Sequence, residues 1–408
     1  MHYFLAREAV LKLLEHPAVY NVSTDELYEL DDASFQFLRQ CASGKGCEGY
    51  ESEFVEYCIQ EGILSEQKVS LMRPRIIKAP EPSLRYLELQ ITDNCNLKCR
   101  HCYIGDRKRD KVRGTTKDEL SVAQIRDVLR EFEAMQGLRV LISGGEPLMH
   151  SQFDKINEIL PEFFIRKILI TNGILLTKRI LPALNVHEIQ ISIDGLESAH
   201  DSLRGKGTFR LAMEAVRTAL ESGFHVSVST MVHGKNLEDF DGMEKLFKGL
   251  GIKDWTVDVP CITGRLKEHP EFQISSATGG KYLRYGYGEG LHAGASGFAC
   301  GVHLMAVMAD GKIAKCTFYA DRAVGSIDDG LRESWQKIKP VKIEALTCDC
   351  DYLSECRGGC RYRALLLGDE LGKDFFKCYS YDILGADDSN IRTSSPDSST
   401  KGGVLYDN

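Results

Sequence analysis

From Leu84 onward, short apolar strands alternate with amphipathic helices, and this alternation commits the chain to a fold built on a parallel sheet. The candidate strands are LRYLELQIT, LRVLIS, KILIT, HEIQISI, HVSVSTMV and DWTVDVP. Between them lie helical stretches such as SVAQIRDVLREFEAMQG, FRLAMEAVRTALESG and LEDFDGMEKLFKGLG, closing on Gly137, Gly223 and Gly251, each suited to a C-cap. Six βα units in series predict an α/β chain with a parallel sheet, open or curved into a partial (βα)6 barrel. Ligand chemistry then gathers at the carboxyl ends of its strands.

Residues 1–78 read as a small separate αβ module. AVYNVS and ELYELD form a hairpin around Thr24-Asp25, and Asp32 caps a helix carrying Phe35, Leu38 and Cys41. A second helix, ESEFVEYCIQEG, buries Phe54, Val55, Cys58 and Ile59 before stopping at Gly62. RPRIIKAPEPS, with Pro80 and Pro82, is a linker into the barrel, taken as residues 79–285. The βα alternation fades after about residue 285, and residues 286–385 hold seven cysteines among short strands and turns. Residues 386–408 are Ser, Asp and Gly rich and read as a disordered tail.

The net charge of −8 gives no basic footprint, so nucleic acid is not an expected partner. No stretch reaches a membrane span's length, and MHYFLAREAVLKLLEHP lacks the marks of a signal peptide, which makes the expected location cytoplasmic. In that reducing compartment the 14 cysteines are poorly explained as disulfides. Metal or redox chemistry is the better reading.

The first candidate barrel strand runs into TDNCNLKCRHCYIGD, which places Cys95, Cys99 and Cys102 in a CxxxCxxC spacing at its carboxyl end. Three thiolates from one loop can bind three irons of a cubane and leave the fourth iron open. Zinc is the plainer alternative, wanting a fourth ligand or a water with a nearby base; His101 supplies that ligand only with difficulty. On spacing alone, cluster, zinc and buried thiols all stand.

CxxxCxxC after the first strand, with SGGEP after the second, resembles the radical S-adenosylmethionine superfamily. The resemblance implies a [4Fe-4S] cluster on the three cysteines, with S-adenosyl-L-methionine on the open iron and reductive cleavage to a 5'-deoxyadenosyl radical. It further implies cofactor contacts from Tyr103, from Gly144 and Gly145, whose bare backbone lets carbonyls approach the methionine ammonium, and from Glu146 as a countercharge. Ser192 and Asp194 of SIDG resemble the ribose and carboxylate contacts, and Arg204 resembles a cation that clamps the methionine carboxylate. TNG at 171–173 is a turn beside the site. His101 stands where relatives usually carry an aromatic residue, and its imidazole can still stack near adenine.

Cys300, Cys316 with Gly311 five residues before it, then CDCDYLSECRGGC and Cys378 resemble the seven-cysteine SPASM domain, which implies two auxiliary [4Fe-4S] clusters. Carried over by order, Cys300, Cys316 and Cys360 hold the first, and Cys348, Cys350, Cys356 and Cys378 the second. The chain departs twice from that pattern: Cys348-Asp349-Cys350 is CxC where CxxC is usual, and no further cysteine follows Cys300 closely. The first auxiliary cluster is therefore expected to keep an open iron for a substrate donor. His303 and Cys261, the latter in VPCITG at the end of the sixth strand, are rival occupants. Cys261 is also a candidate catalytic hydrogen-atom donor or a plain buried thiol.

The N-terminal module resembles the winged-helix-like element with which such enzymes bind the leader of a ribosomal precursor peptide. The function implied is an oxidoreductase that abstracts hydrogen from a peptide and oxidises it to a thioether, carbon-carbon or ether crosslink, with ferredoxin or flavodoxin as electron donor. Two alternatives remain: a maturase of a folded protein, of the formylglycine type, or of a small-molecule cofactor; and a zinc-binding interaction module.

Overall fold

The computed structural model describes residues 2–69, 71–105, 118–288, 290, 292 and 296–383, so the expected tail at 386–408 lies outside the described residues. The N-terminal module pairs β1 (Phe4–Leu5) with β5 (Leu64–Ser65) and builds a three-stranded antiparallel sheet from β2 (Ala9–Leu13), β3 (Pro17–Asn21) and β4 (Leu27–Glu29). Helices α1 (Asp32–Cys41) and α2 (Ser52–Gln60) pack a core of Phe35, Phe37, Leu38, Cys41, Val55 and Cys58. The cap of α1 is Asp31, whose carboxylate accepts the Ser34 amide at 2.7 Å, one residue before the expected Asp32. Ile59 is 37% exposed instead of buried.

The expected barrel strands form as β6 (Leu84–Thr92), β7 (Arg139–Gly144), β8 (Arg166–Thr171), β9 (Glu188–Ser192), β10 (His225–Met231) and β11 (Asp254–Asp258), all parallel to their neighbours. Helices α3 (Val122–Ala134), α4 (Phe153–Ile159), α5 (Glu197–Arg204), α6 (Thr208–Glu221) and α7 (Phe240–Gly249) provide the crossovers. Val, Ile and Leu of the strands meet apolar helix faces in one continuous core that includes Leu87, Val140, Leu169, Ile189, Val228 and Phe132. At the end of α3 the left-handed residue is Gln136, with φ of 67°, and not Gly137. Gly137 is required for space instead: a Cβ there would stand 2.3 Å from the Phe132 ring.

The sheet is larger than six strands. After α8 (Ser276–Tyr282) the chain forms β12 (Phe298–Cys300), then β13 (His303–Val307), β14 (Lys312–Ala314) and β15 (Gly325–Ser326). β13 lies parallel against β6, and the nine-stranded order is β11-β10-β9-β8-β7-β6-β13-β14-β15. The cysteine-rich unit is thus grafted on the barrel's first strand by backbone hydrogen bonds. Helix α9 (Leu331–Lys337), β16 (Val341–Lys342) and the short helices α10 (Leu353–Cys356), α11 (Arg361–Leu366) and α12 (Phe375–Ser380) complete it.

Candidate iron-sulfur and cofactor site

The loop after β6 carries Cys95, Cys99 and Cys102, and it is fixed by polar side chains at its root. Glu119 accepts hydrogen bonds from Thr92 at 2.9 Å, Asn94 at 2.8 Å and Ser151 at 2.6 Å. Asn172, from the turn after β8, donates to the Asn96 side chain at 2.8 Å, which brings TNG against the loop. On the far side the Arg265 amide donates to the Cys102 carbonyl at 3.1 Å. Gly264, in the left-handed region at φ 55°, has no room for a side chain, since a Cβ would stand 2.3 Å from that same oxygen.

The three thiols lie within electrostatic range of one another and of Arg204. Burial pushes Cys99 up to about 11. Ligation demands the thiolate, and a cation at the site reverses that preference. Among the described residues, no three His, Cys, Asp or Glu side chains converge on a point as a single ion requires. Three thiols carried by one loop fit a cubane ligated at three of its irons.

Gly144 and Gly145 do not face an open space. A Cβ on Gly144 would stand 2.3 Å from the Thr92 carbonyl oxygen, and one on Gly145 would stand 2.4 Å from that of Asn94. The glycines let the end of β7 press on the root of the cysteine loop, where the Gly145 and Glu146 amides donate to Thr92 and Asn94 at 2.8 and 2.7 Å. Glu146 is turned inward, 0% exposed, and accepts from the Thr171 hydroxyl at 2.7 Å and the Asn172 amide at 2.9 Å. Burial pushes its carboxyl up to about 7, and its hydrogen bonds tie the ends of β7 and β8 together.

Asp194 and Arg204 meet as a buried ion pair, Nε to Oδ2 at 2.5 Å. The other oxygen of Asp194 accepts the Met231 amide at 2.7 Å, so both oxygens are engaged within the protein. Asp194, expected as a ribose or carboxylate contact, thus holds the Arg204 guanidinium, which lies in electrostatic range of Cys99 and Cys102. Burial opposes the charge on Asp194, but Arg204 and the other neighbours keep its carboxyl well below the usual range. Ser192 sits at the end of β9, 3.4 Å from the Ser229 hydroxyl. The Tyr103 hydroxyl accepts from Gln90 at 2.8 Å and its ring tilts against Phe318 of the C-terminal unit. Burial pushes His101 down to about 4, leaving it neutral, and its buried Nδ1 has no hydrogen-bond partner among the described residues.

The later cysteines form two groups. Cys348, Cys350, Cys356 and Cys378 line one cavity together with Asp349, Lys373 and Lys377. The CxC departure therefore does not send Cys348 and Cys350 to different places. The Gly358 amide donates to the Cys356 sulfur at 3.3 Å. Cys300 lies in electrostatic range of Cys316 and Cys360 in the second group. Cys261, 4% exposed, belongs to a buried cluster with Ala306, Met308 and Tyr362, and Cys316 and Cys360 pack against that cluster. His303 is directed elsewhere, with Nδ1 donating to the Ser83 carbonyl at 2.7 Å.

Several positioning residues carried no signal in the sequence pattern. Arg363 bridges Asp258, at the end of β11, and Asp374, at 2.5 and 2.9 Å, and Asp374 accepts the Cys360 amide at 2.7 Å. Glu88, half-buried on β6, accepts the Thr317 amide at 2.9 Å next to Cys316. Both pairings join residues far apart in the chain.

Residues 89–247 match the Radical SAM superfamily. The mycofactocin maturase MftC of Mycolicibacterium smegmatis is 26% identical over 326 residues, covering 70% of this chain and 81% of that protein. The antilisterial bacteriocin subtilosin biosynthesis protein AlbA of Bacillus subtilis is 29% identical over 197 residues, 46% of this chain and 43% of that protein. Among solved structures, Streptococcus suis SuiB bound to the precursor peptide SuiA aligns with a TM-score of 0.64 at 16% identity, covering 91% of this chain and 98% of that one. The fold is shared.

Proposed function

We propose, on the premise that this chain is a radical SAM enzyme, that it matures a ribosomally made precursor peptide. The observation that carries the reading is the meeting of three thiols with the buried Arg204–Asp194 pair at the carboxyl mouth of the barrel. Cys95, Cys99 and Cys102 would hold a [4Fe-4S] cluster, Arg204 would bind the methionine carboxylate, and Asp194 would keep the guanidinium charged and aimed. When bound there, the cluster and S-adenosyl-L-methionine supply a 5'-deoxyadenosyl radical by reductive cleavage.

The protein side chains define the rest. Neutral His101, its Nδ1 without a hydrogen-bond partner among the described residues, offers a hydrogen-bonding group and a flat ring to a nucleoside, and Ser192 offers a hydroxyl from the neighbouring strand end. Cys300, Cys316 and Cys360, and separately Cys348, Cys350, Cys356 and Cys378, would hold two auxiliary [4Fe-4S] clusters that receive the electron released when the peptide radical is oxidised to a crosslink. A ferredoxin or flavodoxin would supply the electron for cleavage, in the cytoplasm.

The N-terminal module supports a peptide substrate through its edges. The outer edge of β2 is covered by the chain's own linker: Ala79 donates its amide to the Leu13 carbonyl at 2.8 Å, and the Arg73 guanidinium donates to the Ala9 carbonyl. Among the described residues β4 pairs with β3 alone, which leaves it as the edge for an added leader strand. Reconstituted anaerobically, the chain should hold roughly 12 irons, the content of three cubanes. Given a precursor peptide that binds residues 1–78, it should release deoxyadenosine and a peptide lighter by two hydrogens. Little iron and no cleavage would instead point to zinc, and cleavage with no binding of any peptide would favour a small-molecule substrate.

A further inference from the structure

Resting on the auxiliary-cluster reading, we infer that Cys261 is the fourth protein ligand of the first auxiliary cluster, so that this cluster has no open iron and joins the last barrel strand to the C-terminal unit. A cubane closed by protein takes four thiolates. Cys300, Cys316 and Cys360 provide three, and no other cysteine follows Cys300 before Cys316. The fourth thiol at the group is Cys261, buried from a different part of the chain in the cluster against which both Cys316 and Cys360 pack.

Two part-buried polar contacts hold these thiols to the barrel, one at β11 and one at β6. Asp258, three residues before Cys261, grips Arg363, which grips Asp374, which accepts the Cys360 amide at 2.7 Å. That chain fixes the Cys360 backbone relative to the end of β11. Across the sheet, Glu88 on β6 accepts the Thr317 amide and so fixes the Cys316 turn to the first barrel strand. Buried charges are costly unless paired, and their geometry is correspondingly specific. β6 and β11 are separated by four strands in the sheet order. A cluster ligated by Cys261, Cys300, Cys316 and Cys360 would therefore tie the two ends of the barrel's arc together. Its role is to pass electrons, since a four-thiolate cluster offers no position to a substrate atom.

The test uses the full chain carrying Cys95→Ala, Cys99→Ala and Cys102→Ala, which removes the one cluster expected to have an open iron. Reconstituted and reduced, it should hold about eight irons, and its electron paramagnetic resonance spectrum should not move when excess cyanide is added. Cys261→Ala in that background should either make a [4Fe-4S] signal sensitive to cyanide or lower the iron content by about four atoms. A cyanide-sensitive spectrum while Cys261 is present would overturn the assignment without need of the fourth variant. An unchanged spectrum and iron count in Cys261→Ala would overturn it as well. Failure of the underlying reading looks different: the triple variant, still folded by circular dichroism, would hold almost no iron.

Discussion

The two ends of the barrel are built by opposite strategies. At the carboxyl mouth, a single loop of eight residues brings Cys95, Cys99 and Cys102 together, and a single buried ion pair, Asp194 with Arg204, stands beside them. At the amino end, charges from separated segments form one network: Asp25 of the N-terminal module pairs with Arg139 at 2.7 Å, and Arg166 with Glu188 at 2.8 Å, while His225 bridges Glu188 and Asp254. Arg166 also donates to the Val22 and Ser23 carbonyls at 3.1 and 2.7 Å, and buried Lys12 donates to the Gly137 carbonyl at 2.7 Å. Apolar contacts of Val10, Leu14, Tyr20, Val22 and Leu138 lie alongside. The mouth gathers its reactive groups on one loop beside a single buried ion pair. The base uses its polar groups to dock the N-terminal module.

That contrast predicts distinct failures. Cys95→Ala, Cys99→Ala or Cys102→Ala should abolish deoxyadenosine formation, read by chromatography, while circular dichroism stays that of the parent; retained cleavage would refute the site. Asp194→Asn should lose both properties, because it leaves a buried guanidinium without its countercharge. Its unfolding free energy in urea should fall by about 3–5 kcal/mol, with cleavage reduced in step.

At the base, Asp25→Ala strips two arginines of one carboxylate and should destabilise the docked module by about 3–5 kcal/mol. Hydrogen exchange in residues 9–29 should rise, while deoxyadenosine formation without peptide stays within about twofold, a rate change under 0.5 kcal/mol. Equal loss of basal cleavage would show that the two ends are coupled. A smaller effect distinguishes the auxiliary region: Cys356→Ala should spare cleavage and lower the iron content by about four atoms while crosslinked peptide disappears.

The smallest expected effect is of pH on the base. Hydrogen bonds to Asp254 and Glu188 raise His225 to about 9 from its ordinary 6.5. A raised histidine contributes stability that is fully present below its unfolded value and lost as pH rises through its folded value. Stability of the parent should therefore decline between about pH 6.5 and 9, and His225→Gln should flatten that decline in thermal melts. An unchanged slope would remove His225 from the network.

Much of the chemistry was legible because it is local. The six parallel strands follow from apolar runs, and CxxxCxxC puts three thiols on one loop whatever lies around them. Asp194 and Arg204 were also legible as residues, but not as partners, since an ion pair across ten positions depends on how α5 packs against β9. β13 was missed as a barrel-sheet strand because its five residues acquire a parallel partner only when the chain returns to β6 more than two hundred residues after it.

Sequence alone determined which side chains this protein can bring to iron and nucleoside chemistry, since thiol spacing within a loop is set by covalent geometry. Tertiary structure decided which thiols stand together. Cys348 and Cys350 share a cavity despite their shortened spacing, and Cys261 meets Cys360 although 98 residues lie between them. The physical reason is that such meetings are fixed by part-buried pairings such as Asp258–Arg363–Asp374 and Glu88–Thr317, whose partners are neighbours in space and strangers in sequence.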